Sequence, residues 1–246
     1  MIRLSVNVNK VATLRNSRGG REPRVLDAVA ACLSAGADGI TVHPREDRRH
    51  ITPDDVRDVA HVLAGRGPAV ELNIEGDPRP DLLALVRDIV PDQCTLVPVV
   101  PGEITSQAGW VDGDEARHLP GVIADLKARG IRVSLFVDPR PEAVRLAASV
   151  SADRVELYTE PFARAFERGT READRAFAIY ADAAREAHGL GLGVNAGHDL
   201  DLDNLVLFRG LPYLDEVSIG HALVSRALFK GLDVVVREYT AVLAAV

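Results

Sequence analysis

Lysine, cysteine and long apolar runs are all scarce in this chain. Lysine occurs only at Lys10, Lys127 and Lys230, and 29 basic against 36 acidic side chains leave a formal net charge of −7. That balance argues against general nucleic-acid binding, which needs clustered Lys and Arg to neutralise phosphates. Arginine patches inside an acidic protein point instead to small anionic ligands drawn into a pocket. The two cysteines, Cys32 and Cys94, lie in a helical pattern and an apolar strand far apart. They read as reduced core thiols, without a zinc-type spacing. No apolar run reaches the roughly 18 residues that span a bilayer. Met1-Ile2-Arg3-Leu4-Ser5-Val6 enters a strand at once, without the parts of a secretory signal. The expectation is a cytoplasmic protein.

What the chain does have is repetition of a simple kind. Short β-branched runs recur at Leu4–Val8, Gly39–Val42, Ala69–Ile74, Gln93–Val97, Arg132–Val137, Arg154–Tyr158, Gly191–Asn195 and Glu216–Ile219. They do not look strictly alternating, as expected of strands covered on both faces. Amphipathic Ala/Leu/Arg-rich segments lie between them, at Val25–Ala35, Pro53–Leu63, Asp81–Ile89, Leu119–Arg129, Pro141–Ser149 and Arg171–His188, and Leu232–Val246 reads as a last helix. Thr52-Pro53-Asp54-Asp55 carries the start signals of a helix, with Thr at the N-cap and Pro at N1. Eight strands alternating with helices predict a single closed (β/α)8 TIM barrel with extra helices over residues 1–246, close to the roughly 250 residues typical of that fold. An open doubly wound sheet is the alternative. Gly189-Leu190-Gly191-Leu192-Gly193 precedes its strand instead of following one, so it is no dinucleotide fingerprint. Two connections are long, 99–117 and 159–170, and the first has the composition of a lid.

In such a barrel the residues at the C-terminal strand ends share one site. The segment after strand two, His43-Pro44-Arg45-Glu46-Asp47-Arg48 and then His50, concentrates imidazole and positive charge at that edge. Strand one ends in Asn7, Asn9 and Lys10, followed by Arg15 and Arg18. Strand three contains Glu71 and Asn73, strand six Glu156 and Tyr158. Strands seven and eight end in Gly197-His198 and Gly220-His221, and small residues there let phosphate oxygens approach backbone N–H groups. Glu71 among Val70, Leu72 and Ile74 is read as a desolvated proton-transfer group. Its alternative is a structural ion pair with a barrel arginine. His43 and His198 titrate near neutrality and complete an acid/base trio. The set lacks a close His pair of metal-binding spacing, and no metal is expected.

These motifs resemble the pyridoxine 5′-phosphate synthase family. The likeness is carried by Asn7-Val8-Asn9-Lys10-Val11-Ala12-Thr13-Leu14-Arg15-Asn16-Ser17-Arg18-Gly19, by the run from Gly36 through His43-Pro44-Arg45-Glu46-Asp47-Arg48-Arg49-His50-Ile51, by Val194-Asn195-Ala196-Gly197-His198 and by Ile219-Gly220-His221. The resemblance implies a TIM barrel that condenses 3-amino-2-oxopropyl phosphate with 1-deoxy-D-xylulose 5-phosphate to pyridoxine 5′-phosphate, phosphate and water. It implies no metal or organic cofactor and a homo-octamer. His43 and Glu71 would be proton acceptors and His198 a proton donor. Asn7, Arg18, Gly220 and His221 would contact the aminoketone phosphate; Arg45, His50 and Thr105 would contact the deoxyxylulose phosphate.

Three places depart from the commonest family pattern. Asn9-Lys10 stands where many members carry Asp-His at the sugar hydroxyls. Asp199 replaces a glycine beside the phosphate, where a carboxylate repels unless it points away. Val99-Val100-Pro101 replaces a charged stretch before the lid. Two rival functions remain open: a Schiff-base aldolase using Lys10, and a non-catalytic phosphometabolite-binding barrel that needs neither Glu71 nor His43.

Overall fold

The computed structural model describes residues 1–65, 70–98 and 106–245. Eight parallel strands close in sequential order: β1 (Arg3–Asn7), β2 (Gly39–Val42), β3 (Glu71–Gly76), β4 (Gln93–Leu96), β5 (Arg132–Val137), β6 (Arg154–Tyr158), β7 (Gly193–Gly197) and β8 (Leu214–Ile219), with β1 pairing both β2 and β8. The expected barrel is therefore present. Around it run α2 (Val25–Ser34), α3 (Pro53–Ala64), α4 (Pro80–Ile89), α5 (Leu119–Ala128), α6 (Pro141–Ser149), α8 (Thr170–Gly189), α9 (Leu205–Phe208) and α11 (Leu232–Ala244). Extra helices follow β1, β6 and β8: α1 (Asn9–Asn16), α7 (Glu160–Arg168) and α10 (His221–Lys230). Among the described residues no helix is long and apolar enough to cross a membrane. The capping box at α3 forms as the sequence demands. Thr52 Oγ1 accepts from the Asp55 N–H at 3.2 Å, and the Asp55 carboxylate accepts from the Thr52 N–H at 2.8 Å.

One expectation is sharpened: several strands alternate, Arg-Leu-Ser-Val-Asn in β1, Glu-Leu-Asn-Ile-Glu in β3 and Gln-Cys-Thr-Leu in β4, whereas Leu-Phe-Val in β5 and Leu-Asp-Glu in β8 break the pattern. The apolar set, among it Leu4, Val6, Ile40, Ile74, Val155 and Val217, is fully buried in the core between sheet and helices. The polar set faces the lumen, where its members bond to one another. Ser5 and Thr41 hydroxyls meet at 2.7 Å, Thr95 donates to Asn73 at 3.0 Å, and Asn195 reaches Gln93 from β7 to β4 at 3.4 Å. Both faces are buried, as expected, yet only one is apolar. A lumen filled with polar side chains costs stability unless each is paired, and this network pairs most of them.

The floor of the barrel carries a repeated device. Asp38, Asp92, Asp153 and Asp215 each precede or begin an even-numbered strand. Their carboxylates accept the N–H of Leu4, Leu72, Val133 and Val194 in the preceding odd strand at 2.8–3.0 Å. Each carboxylate thus satisfies a backbone donor at a strand start, where the ladder alone leaves it unpaired.

Candidate active site

The clearest departure from the sequence expectation concerns Glu71. It opens β3 at the N-terminal floor, beside Gly39, and its carboxylate pairs with Arg3 of β1 and Arg132 of β5. The two guanidinium groups hold it below the usual carboxylate range against the opposing cost of burial. Glu71 is the structural ion pair that was its alternative, and it does not join His43. Strand β3 ends two residues later than expected, at Gly76, so the carboxylate at the mouth belongs to Glu75.

His43 follows β2, with its backbone N–H held by Asn9 Oδ1 at 3.0 Å. Its Nδ1 lies 3.9 Å from Glu75 Oε2, and Asn7 Nδ2 reaches the same carboxylate oxygen at 3.4 Å. His43 Nε2 is buried without a hydrogen-bond partner among the described residues, as is His50 Nδ1. The two rings meet edge to face with centroids 6.2 Å apart. Unpaired buried ring nitrogens are costly in a folded protein, and at a strand-end mouth they suit a ligand. Burial pushes His43 down to about 3, helped by the charges of His50, Arg45 and Arg79. Burial, then Arg45 and Lys10, brings His50 to about 4. Both rings are neutral at pH 7.

The loop carrying these groups is braced from outside. The first-strand loop folds as α1, which the sequence reading did not anticipate. From it Arg15 forms a two-pronged pair with Asp55 at 2.5 and 2.9 Å, while Asn16 donates to the His50 carbonyl at 2.8 Å. Arg79, passed over in the sequence, donates to the Pro44 carbonyl at 2.5 Å. Arg45 and His50 are buried, whereas Lys10 and Arg18 are exposed, at the start and past the end of α1. Thr105 and the Val99-Val100-Pro101 departure lie outside the described residues. On the far side of that segment Trp110 is buried. Its backbone N–H donates to Phe136 and its indole N–H to Leu96, each near 3 Å, which fixes the chain across the ends of β4 and β5.

From the mouth downward three carboxyls, Glu75, Glu156 and Glu216, share the lumen. Burial raises Glu75 well above its ordinary range, and the neighbouring Glu156 and Glu216 raise it further. Glu156 is raised by burial and by Glu216, and Glu216 is pushed up to about 7, chiefly by burial. Like charges brought out of water favour shared protons, which makes this group a store of protons. Glu156 reaches the end of β7, where a side chain on Gly197 would collide with its carboxyl. His198 follows directly, edge-on to the Tyr158 ring at 5.1 Å, with Nδ1 2.9 Å from Asp199 Oδ2. Asp199 thus turns to the imidazole. At β8, a Cβ on Gly220 would stand 3.0 Å from Asn7 Cβ, so glycine lets the two strand ends close up. His221 then begins α10. The structure therefore gathers Asn7, Asn9, His43, Arg45, His50, His198, Gly220 and His221 on the C-terminal rim, adds Glu75, and removes Glu71. The signal for Glu75 was present: inward positions of β3 fall at 71, 73 and 75, and only the last is at the C-terminal end.

Comparison with known proteins gives a consistent family. Residues 4–245 match the family described as pyridoxal phosphate biosynthesis protein PdxJ. A pyridoxine 5′-phosphate synthase of Christiangramia forsetii is 50% identical over 240 residues, covering 97% of this chain and 98% of its own. One from Xanthomonas campestris pv. campestris is 50% identical over 249 residues, covering 98% and 96%. Among solved structures, a thiamine phosphate pyrophosphorylase from Pyrococcus furiosus superposes with a TM-score of 0.64 at 12% identity, covering 99% of this chain and 96% of that one. That likeness speaks for the barrel alone.

Proposed function

Because this chain belongs to the PdxJ family of pyridoxal phosphate biosynthesis proteins, we propose that its barrel mouth carries out the pyridoxine 5′-phosphate synthase reaction, with Glu75 in the part expected of Glu71. The condensation of 3-amino-2-oxopropyl phosphate with 1-deoxy-D-xylulose 5-phosphate needs two phosphate cradles and several proton transfers, and no electron sink. Arg45 and His50 form one cradle beside strand two. Gly220, His221, Asn7 and Arg18 form the other, using the free N–H groups at the start of α10. Asn9 supports the reaction by holding the His43 backbone, and Lys10 stands beside the first cradle.

The observation that carries this reading is the buried His43–Glu75 pair, 3.9 Å apart, with His43 Nε2 lacking a hydrogen-bond partner among the described residues. In the free protein burial, and after it the neighbouring cations, suppress the basicity of His43. A phosphate bound by Arg45 and His50 opposes those charges, so substrate arrival itself arms the imidazole. Glu75, raised by burial and by its carboxyl neighbours, exchanges protons with it, and His198 protonates departing oxygen across the mouth. A Schiff-base role for Lys10 finds less support, because exposure denies that amine the desolvated setting of nucleophilic lysines.

Incubating the purified protein with both substrates and following pyridoxine phosphate absorbance tests the reaction. Absence of product from the wild-type chain would overturn the reading, and borohydride trapping on Lys10 would favour the aldolase. The same proposal includes a single-domain chain acting in the cytoplasm, which the two buried free thiols support, and a homo-octamer. The exposed Leu228 and Phe229 on α10 support an assembly; a monomer in sedimentation would remove that part.

A further inference from the structure

His198 and Asp199 both adopt positive φ, 87° and 57°, a region that residues other than glycine seldom occupy. In an extended strand adjacent side chains point to opposite faces. Here the left-handed turn swings both to one side and brings Oδ2 to 2.9 Å from Nδ1. The turn is pinned through its carbonyls. Thr159 Oγ1 donates to Gly197 O at 2.7 Å and also to His198 O, and Asn204 Nδ2 donates to Asp199 O at 3.0 Å. A strained backbone held by three side-chain bonds points to a functional demand on what it carries.

We propose that Asp199 is a positioning residue for His198, keeping one proton on Nδ1 so that Nε2 is the atom that takes up a second proton and delivers it to the departing oxygen, leaving the neutral Nδ1–H ring. A carboxylate only accepts hydrogen bonds, so a neutral imidazole bound to it through Nδ1 must carry the proton there. Tyr158 fixes the ring plane from β6. Among the described residues, Arg164 from α7 and His221 from α10 act on the Asp199 carboxylate, and Glu156 of β6 lies against Gly197, just before the pair. The carboxyl of Asp199 is held below its ordinary range, first by the His198 bond and then by the charges of His198, Arg164 and His221. It also answers the concern over a carboxylate beside a phosphate site, since its charge is spent on the imidazole. The inference rests on the proton-donor role of His198.

The test compares Asp199→Gly and Asp199→Asn with the wild type by 15N NMR of the imidazole and by steady-state kinetics. Both replacements suit the left-handed backbone, glycine best, so folding is not at stake. In the wild type the neutral ring is expected as the Nδ1–H tautomer; in Asp199→Gly that preference disappears. Turnover falls on the order of tenfold with KM nearly unchanged, a fraction of what a full acid/base group supplies. Asp199→Asn falls further, because its amide can donate to Nδ1 and stabilise the wrong tautomer. An imidazole whose tautomer is the same in Asp199→Gly would overturn the inference and leave the role of His198 standing. A fully active His198→Asn enzyme would overturn that role instead.

Discussion

Exchanging the fates of two glutamates on one strand separates structure from chemistry. Glu71 and Glu75 sit four residues apart on the same lumen-facing side of β3, one on the floor and one at the mouth. In Glu71→Gln, Arg3 and Arg132 lose their shared counter-charge. Breaking a fully buried pair costs about 3–5 kcal/mol. Here the arginine side chains are 30% and 26% exposed, so solvent screens them and about 2 kcal/mol is expected. For a chain of this size that lowers Tm by about 4–8 °C, with kcat within about threefold of wild type because the change is on the far rim from the reacting atoms. Glu75→Gln has the opposite signature. Burial and two neighbouring carboxyls already favour its neutral form, which an amide imitates, so stability holds or rises. Proton exchange is lost, and turnover falls by about 10²–10⁴. Thermal unfolding and single-substrate saturation curves on both variants read the two effects separately. A dead Glu71→Gln enzyme with an unchanged Tm, or a Glu75→Gln enzyme at near-normal rate, would refute the reasoning.

Three further outcomes follow from the same geometry. Glu216, at about 7 in the folded chain against an ordinary 4.5, binds a proton that the unfolded chain releases. Its contribution to stability is therefore greatest below about 4.5 and is lost as pH rises towards 7; Glu216→Gln should flatten that slope in chemical denaturation, and an unchanged slope would discount the buried carboxyl. Arg45→Met should raise KM for the phosphorylated substrate by about 10–100-fold while moving the His43 titration upward from about 3 by NMR; a titration that stays put would remove Arg45 as a cause. Gly197→Ala should cut turnover on the order of 100-fold with native circular dichroism, because the added methyl displaces the Glu156 carboxyl; full activity would show that this carboxyl is not needed in place.

Much of the architecture was legible because barrel strands and helices repeat on a scale that local pattern detects. The β-branched cores of the strands and the Thr52–Asp55 capping signal were each enough to place their elements. Boundaries were less legible, and the cost is clear in β3. Ending that strand at Ile74 instead of Gly76 made Glu71 the natural carboxylate at the site, and two residues of register separate a floor ion pair from a mouth acid. Passing over the alternation within β3 hid the cue that would have repaired this. Once apolar residues are known to face the helices, every second residue must line the lumen, and Glu75 follows from position alone. The helix at Asn9–Asn16 was missed because its first turn carries the polar residues of a strand end. The turn of Asp199 towards His198 depends on backbone dihedrals that composition does not reveal.

The four aspartate clips on the floor have a consequence for how this scaffold can change. Each ties the foot of one strand to its neighbour, on the side of the barrel opposite the proposed site. The rim can then exchange loops, charges and even its acid and base without loosening the joints that keep the staves together. Disruptive substitutions at Asp38, Asp92, Asp153 or Asp215 should register as melting, and those around His43 or His198 as altered chemistry, so that durability and reactivity can be varied almost independently.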